Sequence, residues 1–496
     1  MHISTFATKL INRESLTGRN GLALFINRLF VLILIVTSVI NGKCTNGDVE
    51  SRSTNDEDID ETPDYLNSRV YRIVTNSSAV LSSLAELYDS GILDIWGMPS
   101  RTGTDILISS QEEESILMSI LSSTDRGKSD LMINSSSPNS GDNFLLKVII
   151  PNVKKLLDQQ DQHQYNHPPS RVKSSGGFLT WNEYHPLETI TEWMENLAKF
   201  YPETTTLIKI GESWEGLPMH LMKISAPPSE KEHNSTQKSF QKRGVFIDAT
   251  IHAREWVTTS VATWVIKELV TDSPSGQGLL DRYDFYIAPI LNPDGYRHSW
   301  KLNRLWRKSR RSISNWLIAC RGVDLNRNFG HEWGGQGASR SSCSSSYRGN
   351  AAFSEPETRA VKEWVEKMKG EVDWAAYFTL HSYGQKWMTP WGYTNTVLPR
   401  DYREMIRVAR IGTRALRAVH GTEYEVGSSS DMLYLAAGGS DDWWTGVVGV
   451  TYSYTLELRD TGLWGFLLPS SQIQDTVEET WAGIAASLKA IPTRLV

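Results

Sequence analysis

From residue 176 onward, short apolar runs alternate with longer stretches whose apolar positions recur every three to four residues. This is the pattern of strands alternating with helices. Val245, Phe246 and Ile247 form an unbroken apolar run that reads as a buried strand, and the stretch after it sets Val261, Trp264, Val265 and Leu269 on one helical face. The same reasoning predicts strands over 207–210, 219–224, 284–291, 374–380 and 450–458, and helices over 187–200 and from Pro469 onward. Ser354-Glu355-Pro356-Glu357 has the spacing of a capping box opening a further helix that Gly370 ends, and Asn292-Pro293-Asp294-Gly295 reads as a turn. The expected fold class is α/β, a mixed, mostly parallel twisted sheet covered by helices on both faces.

The first 175 residues have a different texture. Basic residues (Lys9, Arg13, Arg19, Arg28) precede an apolar segment at 29–40, too short for an ordinary membrane span of about 20 residues. Residues 1–44 therefore read as a secretory signal, or a signal anchor, and 45–64 as an acidic flexible spacer. Residues 65–160 suggest a small α+β domain, with strands at 68–74, 92–96 and 105–108, helices at 79–88 and 112–121, and mixed strand and helix signals at 145–157. Residues 161–175 read as an exposed linker in which Arg171 and Lys173 offer cleavage sites to a trypsin-like protease.

Composition narrows the class. The chain has 496 residues and a net charge of -6 without a long basic run, which argues against a nucleic-acid partner. Tryptophan is abundant at 18, and many of these lie after residue 250, which points to an aromatic-rich core there. Of three cysteines, Cys320 and Cys343 lie close together; they are either a disulfide in a secreted chain or two buried thiols. Asn76, Asn134 and Asn234 are glycosylation acceptors if the chain is exported.

The candidate chemistry sits at strand ends. His252 and Glu255 lie where the 245–247 strand gives way to a helix, His381 directly follows another strand, and Glu457 lies near the end of a third. Two histidines and one carboxylate with a fourth position open form the ligand set of a hydrolytic Zn²⁺ site. Taken singly, each of these residues has an ordinary structural reading: His252 and Glu255 a solvated loop pair, His381 a structural histidine, Glu457 a surface ion-pair partner.

Taken together they carry a resemblance. His252-Ala253-Arg254-Glu255-Trp256, Asn303-Arg304-Leu305-Trp306-Arg307-Lys308, Gly322-Val323-Asp324-Leu325-Asn326-Arg327-Asn328, His381-Ser382-Tyr383 and Glu457-Leu458-Arg459-Asp460-Thr461-Gly462 occur in the order found in zinc carboxypeptidases of the pancreatic A/B type. The resemblance covers roughly residues 176–496, identified as the catalytic domain, and more loosely 65–160, which resembles the family's propeptide. It implies one Zn²⁺ held by His252, Glu255 and His381, with Asp324 orienting His252. It makes Glu457 the general base and Arg307 the group that steadies the oxyanion. Arg254, Asn326, Arg327, Ser382, Tyr383 and Tyr434 resemble substrate-binding residues, Asn326 and Arg327 as the clamp on a terminal carboxylate. Asp441 occupies the position that floors the specificity pocket, where an aspartate goes with removal of C-terminal Lys and Arg; the alternative is that Asp441 faces solvent and only Asp442 faces inward, with an A-like preference for aromatic or aliphatic C-termini as the alternative specificity. Cys320 and Cys343 fall where the family has a disulfide. The segment between Arg307 and Cys320 is longer than the family's, as is the leader.

The implied protein is a secreted zymogen, a monomer acting on peptide and protein C-termini, activated by a trypsin-like protease and without a stable membrane partner. An alternative in another class is an inactive binding protein on the same fold, which usually lacks the base or a ligand. A His-Glu-x-x-His endopeptidase motif is absent from the sequence.

Overall fold

The computed structural model describes residues 63, 65–123, 144–166, 179–226, 242–313 and 320–493, apart from Asp272 and Ser275. The apolar segment at 29–40, Cys44, the acidic spacer apart from Pro63, Asn134, Asn234, Arg171 and Lys173 lie outside the described residues.

The N-terminal domain is a separate, propeptide-like α+β unit. Its strands β1 (Arg69–Thr75), β2 (Asp94–Ile95), β3 (Thr104–Ile108) and β4 (Phe144–Ile150) form an antiparallel sheet of order β2-β3-β1-β4. Helices α1 (Ser78–Ser90), α2 (Gln111–Ser123) and α3 (Val153–Asn166) accompany it. Ser77 starts α1 by accepting a hydrogen bond from the Val80 N–H, and Gly91, at φ 70°, stops it. The mixed signal at 145–157 resolves into a strand to Ile150 and a helix from Val153. That helix runs to Asn166, into the stretch expected to be linker.

The larger domain is built on an eight-stranded mixed sheet of order β11-β10-β12-β9-β7-β8-β6-β5. Its strands are β5 (Thr205–Glu212), β6 (Pro218–Ile224), β7 (Arg243–Ala249), β8 (Tyr283–Ala288), β9 (Trp374–His381), β10 (Lys386–Thr389), β11 (Glu425–Ser428) and β12 (Tyr452–Glu457). The central ladders β12-β9, β9-β7 and β7-β8 are parallel, as is β10-β11, while β10-β12, β8-β6 and β6-β5 are antiparallel.

Apolar residues on both faces of β7 explain its unbroken run. Val245, Ile247 and Ala249 pack into one core with residues of α4 (Leu187–Phe200), α5 (Trp256–Val270), α8 (Tyr402–His420) and α9 (Ile473–Ala490). Phe246 points to the other face, into a second core with Trp364, Trp374, Tyr377 and Trp444. Trp364, Trp374 and Trp444 are one part of the tryptophan excess; Trp193, Trp256, Trp387 and Trp481 lie in the first core.

Two local expectations change. Asn292-Pro293-Asp294-Gly295 opens helix α6 (Pro293–Lys301) instead of forming a free turn, because the Asn292 side chain accepts the Gly295 N–H at 3.0 Å and Pro293 supplies a ready helical φ. Helix α7 (Pro356–Lys367) is capped by Glu355, not Ser354. A residue before proline is pushed to extended backbone, and Glu355 sits at φ -85°, ψ 137°. Ser354 donates to the Glu355 carboxylate at 2.8 Å instead of capping the helix.

Candidate active site

The parallel pairing of β7 and β9 brings their C-terminal ends to one edge of the sheet, where open α/β sheets bind ligands. After β7, Thr250 takes φ 54° and its hydroxyl bonds that of Thr258 at 2.9 Å, turning the chain so that His252 and Glu255 come before α5. His381 is the last residue of β9 and pairs in register with Glu457, the last of β12. The strand-end residues are thus adjacent in space although far apart in sequence.

His252, Glu255 and His381 are buried and converge. His252 Nδ1 lies 2.8 Å from Glu255 Oε1, His381 Nδ1 lies 3.1 Å from Glu255 Oε2, and the two Nδ1 atoms are 3.1 Å apart. Two imidazole nitrogens that close require a proton or a cation between them. Burial and the nearby Arg307 push the His252 imidazole down, toward the neutral form a metal needs. Burial acts the same way on His381, but Glu255 outweighs it and raises that imidazole. Burial opposes ionisation of Glu255, yet the two histidines hold it well below the usual carboxylate range. A carboxylate and two imidazoles with converging donor atoms fit zinc.

Asp324 organises the next ring of contacts. Its Oδ1 faces His252 Nε2 at 3.2 Å and accepts the Asn326 N–H at 3.0 Å, while its Oδ2 accepts from Arg307 Nη2 at 2.9 Å. Burial alone would raise the Asp324 carboxyl, but Arg307, Arg327 and His252 keep it far below its ordinary value. Arg307 also lies 3.8 Å from Glu255. Arg327 donates to Gly337 O at 3.0 Å and Asn326 O at 2.7 Å, and its guanidinium lies 5.8 Å from the Tyr434 ring. The Ser382 N–H donates to Glu255 Oε2 at 3.2 Å.

His252, Glu255, His381, Arg307, Asn326, Arg327 and Ser382 line one cavity of about 600 Å³, together with Glu457, Tyr434 and Asp441. Glu457 Oε2 is buried without a hydrogen-bond partner among the described residues, and burial, with Glu255 nearby, raises its carboxyl to about 7. Asp441 and Asp442 differ in surroundings. Asp442 accepts the Gly392 and Tyr393 N–H groups at 2.8 and 2.9 Å, whereas Asp441 faces the cavity and accepts only the Ser429 hydroxyl, at 3.2 Å, among the described side chains. Cys320 and Cys343 form a disulfide.

Two expected substrate-binding residues meet the N-terminal domain. Arg254 faces Asp94 at 3.5 Å, its guanidinium 4.0 Å from the Phe466 ring. The Tyr383 hydroxyl donates to Asp105, which also binds Arg72, and its ring packs on Trp96 and Phe466. Trp96, Thr102, Thr104 and Asp105 form part of the cavity wall. The sequence reading missed Arg72, Asp94 and Asp105, because contacts between domains leave no local pattern.

Residues 190–483 match the family model described as zinc carboxypeptidase. The chain is 42% identical over 306 residues to carboxypeptidase B of Astacus astacus, covering 62% of this chain and 96% of that protein. It is 39% identical over 348 residues to carboxypeptidase A2 of Rattus norvegicus, covering 69% of this chain and 78% of the relative. The solved structure of thrombin activatable fibrinolysis inhibitor superposes with a TM-score of 0.71 at 30% identity, covering 86% of this chain and 99% of that one.

Proposed function

Because the chain belongs to the zinc carboxypeptidase family, and is thus a metallocarboxypeptidase, we propose that it removes C-terminal Lys and Arg from peptides and proteins and is made as a secreted, monomeric precursor restrained by its N-terminal domain. The observation that carries the reading is a single cavity holding His252, Glu255, His381, a buried Glu457 oxygen without a partner among the described residues, and the Asp441 carboxylate.

Zinc held by His252, Glu255 and His381 would supply Lewis acidity toward the scissile carbonyl and toward water. The protein's own groups do the rest. Glu457 removes a proton from the attacking water, whose oxygen bonds to the carbonyl carbon. As the C–N bond breaks, Glu457 returns that proton to the leaving amine. Its elevated carboxyl suits both halves of the transfer. Arg307, fixed by Asp324, stabilises the negative charge that develops on the carbonyl oxygen. Asn326 and Arg327 hold the terminal carboxylate; Arg327 Nη2 makes no hydrogen bond among the described residues and is free to point at that anion. Tyr434 closes over the bound residue.

Relatives named for both A-type and B-type enzymes match the chain, so the basic preference is supported by Asp441. A buried carboxylate with one weak hydroxyl partner gains most from an incoming ammonium or guanidinium. Restraint by the N-terminal domain is supported by the Asp94 and Asp105 contacts to Arg254 and Tyr383. Cleavage near Arg171 or Lys173 by a trypsin-like protease would release it.

The test is to treat the secreted protein with trypsin, measure its zinc content, and follow residue release from matched peptides ending in Arg, Lys, Phe and Leu. Release of Arg and Lys in preference to Phe and Leu by a zinc-containing protein is expected. Bound zinc without release of any residue would favour the inactive binding protein.

A further inference from the structure

Each metal-facing histidine needs its proton on Nε2, so that Nδ1 keeps a lone pair. For His252 the reason is plain: Nε2 faces the Asp324 carboxylate, which only accepts. Among the described residues, no carboxylate bonds His381 Nε2. Its two neighbours there are Thr379 Oγ1 at 3.3 Å and Asn326 Nδ2 at 3.4 Å.

Those neighbours pull in opposite directions. Asn326 Oδ1 accepts the Ser440 N–H at 2.9 Å, so its amide is oriented and the group facing His381 is a donor. A donor favours an unprotonated Nε2, the wrong tautomer for a ligand through Nδ1. Thr379 can either donate or accept, and its own partner decides which.

That partner is Asp248, which pairs with Thr379 across the β7-β9 ladder. Asp248 is buried at 1% exposure, and its two oxygens accept the Tyr377 hydroxyl at 2.6 Å and the Thr379 hydroxyl at 2.7 Å. An ionised carboxylate has no proton to give, so the single Thr379 proton is committed to Asp248. Thr379 must then accept from His381 Nε2. Burial raises the Asp248 carboxyl to about 6, while the Tyr377 and Thr379 hydroxyls, one on each oxygen, favour its ionised form.

We propose that Asp248 is a positioning residue which, through Thr379, holds the His381 proton on Nε2 and so presents the Nδ1 lone pair to the metal. The relay rests on the reading of His252, Glu255 and His381 as zinc ligands. It serves the second histidine as Asp324 serves the first, with a hydroxyl interposed. Nothing in the local sequence announces it: Asp248 and Thr379 each look like lone polar residues in an apolar strand, and only the strand register joins them.

The test is zinc retention by the full chain, measured as the rate of loss to a chelator, alongside thermal unfolding to confirm the fold. In Asp248→Asn the amide can donate to Thr379, freeing the threonine proton to point at His381. Thr379→Val removes the relay, and Thr379→Ser preserves it. Loss of zinc about 10–100 times faster is expected for Asp248→Asn and Thr379→Val, the usual cost of a lost partner behind a ligand, with near wild-type loss for Thr379→Ser. If Asp248→Asn fails to fold, the valine and serine pair still decides the matter. Wild-type retention in Thr379→Val overturns the relay alone, while a wild-type chain that holds no zinc overturns the ligand assignment and the relay with it.

Discussion

The Tyr383 hydroxyl donates to the carboxylate of Asp105, tying the residue two positions after His381 to strand β3 of the N-terminal domain. The same carboxylate accepts Arg72 Nε and Nη2, both at 2.6 Å, and Arg72 Nη1 reaches Thr461 O at 3.0 Å. Asp105, with the Arg72 it holds, therefore joins its domain to two segments that border the cavity.

Asp105→Ala should loosen the restraint proposed for the N-terminal domain in the uncut chain. Hydrogen bonds to charged groups contribute about 1.5–3 kcal/mol each when buried, and less here because the Arg72 side chain is 30% exposed. Hydrolysis of long peptides by the uncut variant should rise by about tenfold, near 1.4 kcal/mol, while the trypsin-treated variant matches treated wild type. Unchanged activity in the uncut variant would overturn a restraining role for Asp105.

Glu457→Gln should leave zinc bound, since Glu457 is not among the three converging ligand residues, but lower kcat by about 10²–10⁴, the usual weight of one general base. Metal analysis beside steady-state kinetics checks both halves. Wild-type kcat in the variant would remove Glu457 from the proton-transfer role.

How much of this was legible in the sequence depends on distance. The His252 and Glu255 pair and the strand feeding it are local, so spacing and apolar period reveal them. His381 and Glu457 could be suspected because each follows or ends an apolar run, and parallel strands open on one edge. Asp248, Thr379 and Asp105 were invisible, since their partners are set by strand register or by a second domain. The α7 cap falls on Glu355 because Pro356 fixes the residue before it, which a spacing rule does not register, and Asn292-Pro293-Asp294-Gly295 has the composition of a turn whether or not a helix follows its Asn292 cap.

Asp441→Ile tests specificity. The wild-type ratio of kcat/KM for peptides ending in Arg over Phe should exceed one and fall by about 10² or more in the variant, because the cation then loses its buried partner. Asp442 keeps its two backbone N–H partners in this variant, so the loop retains that anchor. Equal or better cleavage of Phe by the wild type would overturn the basic preference and leave the carboxypeptidase activity standing.

The last prediction concerns pH and stability away from the site. Glu357 lies in the first turn of α7 with no exposed surface. One oxygen accepts the Trp214 N–H at 2.9 Å, and the other has no hydrogen-bond partner among the described residues. A helix N-terminus favours a negative charge. Burial nonetheless wins, helped by Glu355 and Asp294, and the carboxyl rises from 4.5 to about 7. The folded state therefore holds this proton more tightly than the unfolded chain. Its contribution to stability is fully present below about 4.5 and is lost as pH rises through about 7. The whole effect is on the order of 3–4 kcal/mol at most, from a shift worth about 1.36 kcal/mol per unit. Glu357→Gln keeps an acceptor for Trp214 but carries no charge at any pH. Between pH 5 and pH 8 the Tm of wild type should fall further than that of Glu357→Gln, by about 3 °C for a domain of this size. Other buried acids titrate equally in both proteins and cancel in the comparison. Parallel Tm profiles across that interval would show that Glu357 is ionised in the folded protein at pH 5, with the α7 N-terminus outweighing its burial.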